Sequence, residues 1–194
     1  LKSAGGEQDY QKAINAAVRA LWSGQFDLFV FVDDMVGTIQ RGLTRAWHEG
    51  ASTCGMKPED ITMEEKFTLQ SIINGEISHV LNFGQAVVKG SRANSGKLSP
   101  LLDRAKMWGN KYMAVVYQAQ TTSCADLKLK WEWSPLKEHC SSCRKLNGRV
   151  YRSSVWRKYD LYPRHSKLFC RGKRCGCRFE TTQEPVTPGR PPNI

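Results

Sequence analysis

The sequence has few acidic residues in its last third and no long hydrophobic run. Of its 18 Asp and Glu residues only five follow residue 126, whereas 16 of its 29 Lys and Arg residues do. No apolar run approaches the roughly 18 residues that a membrane span needs, and the candidate Leu28 to Val32 is followed directly by Asp33 and Asp34. The scarcity of carboxylates argues against magnesium-dependent phosphoryl transfer in the last third. We therefore expect a soluble chain with no membrane partner.

The excess positive charge lies entirely after residue 126. Residues 1 to 126 contain 13 basic and 13 acidic side chains, so the formal net charge of +11 belongs to residues 127 to 194. Such a segment favours a polyanionic partner, because neutralising phosphates releases condensed counterions. A solvated basic surface that keeps the protein soluble is the alternative. The candidate nucleic-acid-binding residues, interleaved with Phe169 and Phe179, are Lys167, Arg171, Lys173, Arg174 and Arg178.

In the first 126 residues, apolar side chains recur with the spacing typical of α-helices. Apolar positions recur every three to four residues over 9–23 and 26–50, and again over 62–87, where Thr62 and Glu65 have capping-box spacing. Ser99 and Pro100 resemble a helix start, with the apolar face continuing to about residue 122. The pattern predicts about four helices that pack as a bundle or hairpin stack.

After residue 126 the apolar period changes to two. Leu127, Leu129, Trp131 and Trp133 alternate with polar residues, which predicts a strand with one buried face and places these tryptophans, with Trp156, in a core. An Asn147-Gly148 turn precedes a second strand, 153–159 form a short helix and 177–181 form a closing strand. The predicted fold is therefore α+β: a helical region over 1–126, a small β-rich cysteine-held module over 127–182, and a proline-rich tail or linker over 183–194.

The cysteine spacing is the strongest chemical signal in the sequence. A Cys-x2-Cys pair is followed 26 residues later by Cys-x4-Cys-x-Cys, and two such clusters can supply the corners of one tetrahedral zinc site. Because the intervening residues are basic and poor in aliphatics, a structural zinc would supply folding free energy that burial does not. The candidate ligands are Cys140, Cys143, Cys170, Cys175 and Cys177.

Five cysteines compete for four positions on one zinc ion per chain. Cys140, Cys143 and Cys175 fit best, Cys170 and Cys177 compete for the fourth position, and His139 and His165 are outside candidates. The alternative is that these cysteines form disulfides or remain reduced thiols that bind no metal. A site saturated by four thiolates has no open coordination position, which argues against a catalytic metal. The isolated Cys54 and Cys124 are expected to be buried small hydrophobic residues.

The module also resembles a known family. The resemblance rests on Trp131-Glu132-Trp133-Ser134-Pro135-Leu136-Lys137-Glu138-His139-Cys140-x-x-Cys143-x-x-Leu146-Asn147-Gly148-Arg149-Val150-Tyr151, then Trp156, Pro163 and Cys175-Gly176-Cys177-Arg178. This pattern is similar to the carboxyl-terminal domain of phage Mu F-like head-morphogenesis proteins and covers roughly residues 127 to 182. Many relatives have a His-Pro pair before the closing cysteines, where this sequence has Phe169-Cys170, so Cys170 is a candidate substitute for that histidine.

The resemblance implies a structural minor head protein of a tailed bacteriophage, with no catalytic activity and no small-molecule substrate. It implies localisation in the virion head, and in the host cytoplasm during assembly. The implied partners are the phage portal and capsid proteins, with packaged double-stranded DNA as a further expected contact.

Two other functions remain open at this point. A zinc-stabilised nucleic-acid-binding protein would use the basic residues and aromatic rings of the module. A metal-finger nuclease would need a general-base histidine, for which His165 is the candidate. A zinc deaminase is excluded because the sequence has neither its His-x-Glu nor its Pro-Cys-x-x-Cys motif.

Overall fold

A computed structural model describes residues 4–134, 138–172 and 175–194 of the chain. The fold is mixed: a mostly helical amino-terminal region is followed by a small three-stranded sheet with two short helices. The α-helices are α1 (Ala4–Ser23), α2 (Leu28–Ala51), α3 (Met63–Ile77), α4 (Val80–Lys89), α5 (Leu98–Ser123), α6 (Ser141–Leu146) and α7 (Ser153–Lys158). The strands are β1 (Lys128–Glu132), β2 (Val150–Arg152) and β3 (Arg178–Thr181).

The chain divides into two compact units. The first comprises the described residues of Leu1–Ala46 together with Thr62–Tyr112, and the second comprises Trp47–Ile61 together with the described residues of Met113–Ile194. The predicted boundaries at residues 126 and 182 mark changes in sequence character and stay predictions.

The first unit is built from the apolar helix faces that the sequence pattern predicts. Phe31 of α2, Phe83 of α4 and Trp108 of α5 form a chain of rings, with Phe83 centred 6.2 Å from Phe31 and 5.1 Å from Trp108. Tyr10 of α1 packs against α2 at Gly42, where a Cβ atom would lie 2.2 Å from the tyrosine ring. Only a glycine allows this close approach of α1 to α2.

Residues 62–87, whose apolar face predicts a single third helix, form two helices in the structure, α3 and α4. Thr62 and Glu65 form the predicted capping box: the Glu65 amide donates to Thr62 Oγ1, and the Thr62 amide donates to the Glu65 carboxylate. α3 nevertheless ends at Ile77, where the Ser78 hydroxyl donates to the Gly75 carbonyl at 2.8 Å. A serine that satisfies a terminal carbonyl competes with helix continuation. The described part of 4–123 therefore contains five α-helices, and the predicted count of about four was too low by one.

The three predicted strands of the second unit form an antiparallel sheet in the order β2-β1-β3. Leu129 and Trp131 on β1 are fully buried, as the alternation predicts. Trp156 of α7 lies 5.7 Å from Trp131 between ring centroids, and its Nε1 donates to the Leu129 carbonyl at 3.1 Å. Phe179 of β3 completes this aromatic core, 5.5 Å from Trp131. The prediction for Trp133 was wrong, because β1 ends at Glu132 and the Trp133 side chain is 36% exposed.

Cys54 and Cys124 form a disulfide, so their assignment as isolated small hydrophobic residues was wrong. Cys54 ends a short 3₁₀ turn after α2, and Cys124 directly follows α5. Their Cα atoms lie 5.7 Å apart although 70 positions separate them in sequence. The disulfide lies within the second unit and joins its residues 47–61 to the rest.

The proline-rich tail contains no helix or strand, bends at residues 184 and 188–190, and contacts the sheet. The Thr187 amide donates to the Val150 carbonyl, and the Val150 amide donates to Thr187 Oγ1 at 2.9 Å. Thr187 thereby satisfies the outer edge of β2, which would otherwise expose unpaired backbone groups. None of the helices in the described part of the chain is long and apolar enough to cross a membrane.

Candidate metal centre

Cys140 and Cys143 lie at the start of a short helix that the apolar pattern does not predict. Cys140 is the N-cap residue of α6, and Cys143 is in its first turn. Residues three apart lie on the same face of a helix, so both thiols point to one side. The helix geometry of α6 therefore explains why a Cys-x2-Cys spacing places both thiols on the same side.

Cys170 is brought to this pair by a tight loop. Phe169 donates its backbone N–H to the Ser142 hydroxyl of α6 at 3.0 Å, which docks the loop onto the helix. The next residues, Arg171 and Gly172, have φ angles of +50° and +72°. A Cβ atom at Gly172 would lie 2.2 Å from the Arg164 carbonyl oxygen. The loop thus requires glycine at position 172 in order to turn directly after Cys170.

Cys175 and Cys177 lie on an extended segment that leads into β3. Alternate residues of extended backbone point to the same side. Cys175, Cys177 and Phe179 are all buried, whereas Arg178 and Glu180 between and beyond them are exposed. The two thiols therefore continue the buried face of the closing strand.

The five thiols come together in two overlapping groups. Within the described residues, the ligand atoms that lie within 4.8 Å of one another are those of Cys140, Cys143 and Cys170, and those of Cys143, Cys175 and Cys177. Cys143 belongs to both groups. Cys143, Cys175 and Cys177 are buried, and Cys140 and Cys170 are partly exposed. All seven cysteines are among the described residues, and these five are free thiols. The cluster can hold a metal ion, although its geometry does not identify which metal.

The thiols of the cluster shift one another's pKa values through their mutual hydrogen bonds. Hydrogen bonds from the thiols of Cys143 and Cys177 lower the pKa of Cys175 to about 2. Hydrogen bonds to Cys175 and Cys177 raise the pKa of Cys143 far above its usual range. Burial raises the pKa of Cys170 to about 12. The ionised form is therefore favoured at Cys175 and disfavoured at Cys143 and Cys170, and a bound cation would favour the thiolate form of all of them.

The two candidate histidines differ in their relation to the cluster. His139 Nδ1 lies 3.8 Å from the Cys177 sulfur. His165 is buried, its Nδ1 accepts the Lys167 backbone N–H at 2.8 Å, and its Nε2 lies 3.5 Å from Asp160 Oδ1. Because both ring nitrogens of His165 have partners other than cysteine, it is poorly placed as a ligand or as the general base of a nuclease.

The predicted nucleic-acid-binding residues are only partly described. Lys173 and Arg174 lie outside the described residues. Lys167, Arg171 and Arg178 are exposed. Lys167 is paired with Asp160, and Arg178 donates through Nε to Glu180 Oε1 at 2.7 Å. These ion pairs reduce the charge that two of the three described cations present to a polyanion.

The two phenylalanines among the basic residues have opposite environments. Phe169 is 78% exposed, so its ring is accessible to a ligand. Phe179 is buried against Trp131, Trp156 and Tyr117. The interpretation of Phe179 as a base-stacking residue was therefore wrong, because its position opposite Trp131 on β1 directs it into the core.

No protein-family model, no curated protein and no solved structure matches this chain. The similarity to Mu F-like proteins accordingly stays a prediction that rests on the motif quoted above.

Proposed function

We propose that the chain is a non-catalytic structural protein of a tailed-phage head whose carboxyl-terminal module is held together by zinc. In this proposal it joins the procapsid near the portal, contacts portal and capsid proteins, and touches packaged DNA. The observation that carries the proposal is the approach of five thiols to one another around Cys143, within the motif that resembles the Mu F-like domain.

Zinc is the metal that suits this donor set best. Thiolate-only sites select zinc or iron–sulfur clusters, and zinc commonly plays the structural role with cysteine ligands in small basic modules. The burial of Cys143, Cys175 and Cys177 favours a structural site, because buried ligands leave little access for a substrate. Cys170 lies in the group with Cys140 and Cys143, which supports its substitution for the histidine that many Mu F-like proteins have.

Elemental analysis of the purified full-length chain tests the zinc centre. We expect zinc in the folded protein at one ion per chain or more, no iron, and no visible absorption from an iron–sulfur cluster. The sample should be purified without added chelator, and the zinc should remain after dialysis. A folded, metal-free protein would contradict the proposal.

The location in a phage particle tests the structural role. Mass spectrometry of purified procapsids and mature heads should detect the chain, and antibody labelling should place it at the portal vertex. Affinity purification of the full-length chain from infected cells should recover portal and capsid subunits. Absence from both kinds of particle would contradict the head-protein proposal without bearing on the zinc centre.

Nucleic-acid binding is a second candidate function, favoured by one specific observation. Phe169 is an exposed aromatic ring that stands between exposed Lys167 and Arg171. An aromatic ring flanked by cations is the arrangement that stacks a base and tracks a phosphate backbone. The docking of Phe169 onto α6 through Ser142 also ties this residue to the thiol cluster.

A pair of matched variants tests this second function. Stacking of one base contributes about 1–3 kcal/mol, so Phe169→Ala should weaken single-stranded DNA binding roughly 5- to 150-fold. Phe29→Ala is the control, because Phe29 on α2 is 82% exposed but lies in the helical region without excess charge. Equal affinities for both variants and the unmodified chain, measured by fluorescence anisotropy, would exclude a stacking role for Phe169.

A further inference from the structure

The five thiols are arranged as two groups of three with one shared member, and this arrangement bears on how many ions they hold. One tetrahedral zinc ion with sulfur ligands at 2.3 Å requires every pair of sulfurs to lie about 3.8 Å apart. Within the described residues, the groups in which all ligand atoms approach within 4.8 Å contain three cysteines, and Cys143 is common to both. The geometry therefore does not offer four sulfurs equally placed around one point.

From this geometry we infer that the cluster is a binuclear zinc site in which the Cys143 sulfur bridges two ions. The inference rests on the proposed zinc centre and deepens it. The inner ion takes Cys143, Cys175 and Cys177, and the outer ion takes Cys140, Cys143 and Cys170. All five thiols are then used, and the competition of five cysteines for four positions disappears.

His139 lies beside the inner group on its Cys177 side, and a shift of its ring toward Cys143 and Cys175 would make it the fourth ligand of the inner ion. Its Nδ1 lies 3.8 Å from the Cys177 sulfur, close to the separation of about 3.6 Å expected for nitrogen and sulfur on one tetrahedral zinc. Its Nε2 lies 2.7 Å from the Ser134 carbonyl oxygen. A carbonyl only accepts hydrogen bonds, so Nε2 carries the proton and Nδ1 presents its lone pair.

The environment of His139 is typical of a metal-bound imidazole. Ligating histidines usually donate their second ring N–H to a carbonyl or carboxylate, which holds the tautomer and the ring orientation. The Trp133 ring also stacks on His139, with centroids 4.7 Å apart and planes inclined by 17°. These contacts give a structural reason for the exposed position of Trp133 beyond the end of β1.

The charge of the cluster also favours two ions. Four thiolates around one Zn²⁺ ion, with the fifth thiol protonated, leave two uncompensated negative charges, whereas five thiolates around two ions leave one. Burying uncompensated charge is costly, and three of these sulfurs are buried. The outer ion has three cysteine ligands, and because Cys140 and Cys170 are partly exposed, a water molecule can complete its coordination.

Metal stoichiometry of the full-length chain is the primary test. Zinc should be measured by inductively coupled plasma mass spectrometry against protein from amino-acid analysis, with native mass spectrometry as an independent count. Two ions per chain are expected. One ion per chain would overturn the binuclear inference and leave the zinc centre intact, whereas a folded chain with none would overturn both.

Cadmium exchange tests the sulfur bridge in the unmodified protein. With ¹¹³Cd in place of zinc, two resonances with a mutual ¹¹³Cd–¹¹³Cd coupling are expected, because a bridging thiolate transmits the coupling. A single resonance, or two resonances without coupling, would overturn the shared ligand. This measurement requires no substitution, so it stands even if a variant fails to fold.

Three substitutions separate the ions. Cys170→Ser should reduce the content from two ions to one by removing a ligand of the outer ion only. Cys143→Ser should lose the outer ion, which keeps only two protein ligands, and should also weaken the binding of the inner ion, because both ions depend on that sulfur. Ser141→Ala is the control, since Ser141 lies inside the same motif but is exposed and should retain two ions. Two ions bound by a folded Cys143→Ser chain, or an inner ion bound as tightly as in Ser141→Ala, would contradict the bridge.

Discussion

Removal of the Cys54–Cys124 disulfide should lower the free energy of unfolding of the second compact unit by about 4.4 kcal/mol. The estimate follows from the 70-residue separation of the two cysteines, because closing a loop of that length removes conformational entropy from the unfolded chain. Alanine is the preferred replacement at both positions. Cys124 is buried, and a serine there would add the separate cost of burying a hydroxyl group.

Urea unfolding of the full-length Cys54→Ala/Cys124→Ala chain measures this effect. With a slope of about 2 kcal/mol per molar urea, the midpoint should fall by about 2 M. The zinc concentration must be equal in all samples, because a ligand of the folded state raises apparent stability by mass action. A thiol titration should find five free thiols in the metal-free, unfolded chain and seven after reduction, as the structure predicts.

Reduction of the unmodified protein provides the control for this measurement. A phosphine reductant should shift the unmodified midpoint to that of the double variant and leave the double variant unchanged. This comparison separates the disulfide from the thiol cluster, which both proteins contain. If the double variant and the unmodified chain unfold at the same urea concentration, the entropic reasoning is wrong.

Three further predictions concern packing and metal removal. Trp156→Ala should lower the free energy of unfolding, measured in urea, by about 3–5 kcal/mol because the indole is fully buried. Tyr159→Ala is the control and should lower it by less than about 1 kcal/mol, because Tyr159 is 39% exposed. Gly50→Ala should lower the free energy of unfolding by about 1–3 kcal/mol, because the new Cβ atom would lie 2.2 Å from a carbonyl oxygen of α5. Gly75→Ala should raise the free energy of unfolding by roughly 0.5–1 kcal/mol, because the space around Gly75 is open. Chelation of zinc should abolish hydrogen-exchange protection in residues 164–177 before it affects β1; simultaneous loss in both would show that the sheet also depends on metal.

Sequence periodicity predicted those helices and strands whose apolar face is also the face buried in the core. α1 ends at the predicted residue 23, and α2 begins and ends within two residues of the predicted bounds. β1 was predicted because Leu129 and Trp131 alternate with lysines along one strand. In these elements the apolar face that sets the period is also the face that packs in the core.

The elements that were missed depend on contacts distant in sequence. α6 has six residues and no apolar stripe, and Ser142 docks it onto the Cys170 loop through the Phe169 amide. The disulfide joins cysteines 70 positions apart, and no spacing rule identifies such a pair. The division between α3 and α4 was hidden because both helices bury the same apolar stripe, on either side of Ser78.

The candidate site was predicted in composition but not in arrangement. The cysteine spacing identified all five thiols that approach one another, because paired cysteines in a basic segment are typical of metal ligands. Their separation into two groups depends on the left-handed turn at Arg171 and Gly172, which positions Cys170. The spacing contains no information on that turn or on the contact of His139 Nε2 with the Ser134 carbonyl oxygen.

Apolar burial and the proposed metal binding would stabilise different parts of the carboxyl-terminal region. The 26 residues between Cys143 and Cys170 were expected to need metal because they are rich in charge, yet Leu146, Tyr151 and Trp156 among them are buried in the core around the sheet. By contrast, Leu168 is the only buried aliphatic side chain in the described part of 164–177. That loop also contains a left-handed turn at Arg171 and Gly172, which has a conformational cost. The proposed metal would therefore act where the aromatic core ends, and Cys177, two residues before buried Phe179, joins the two regions.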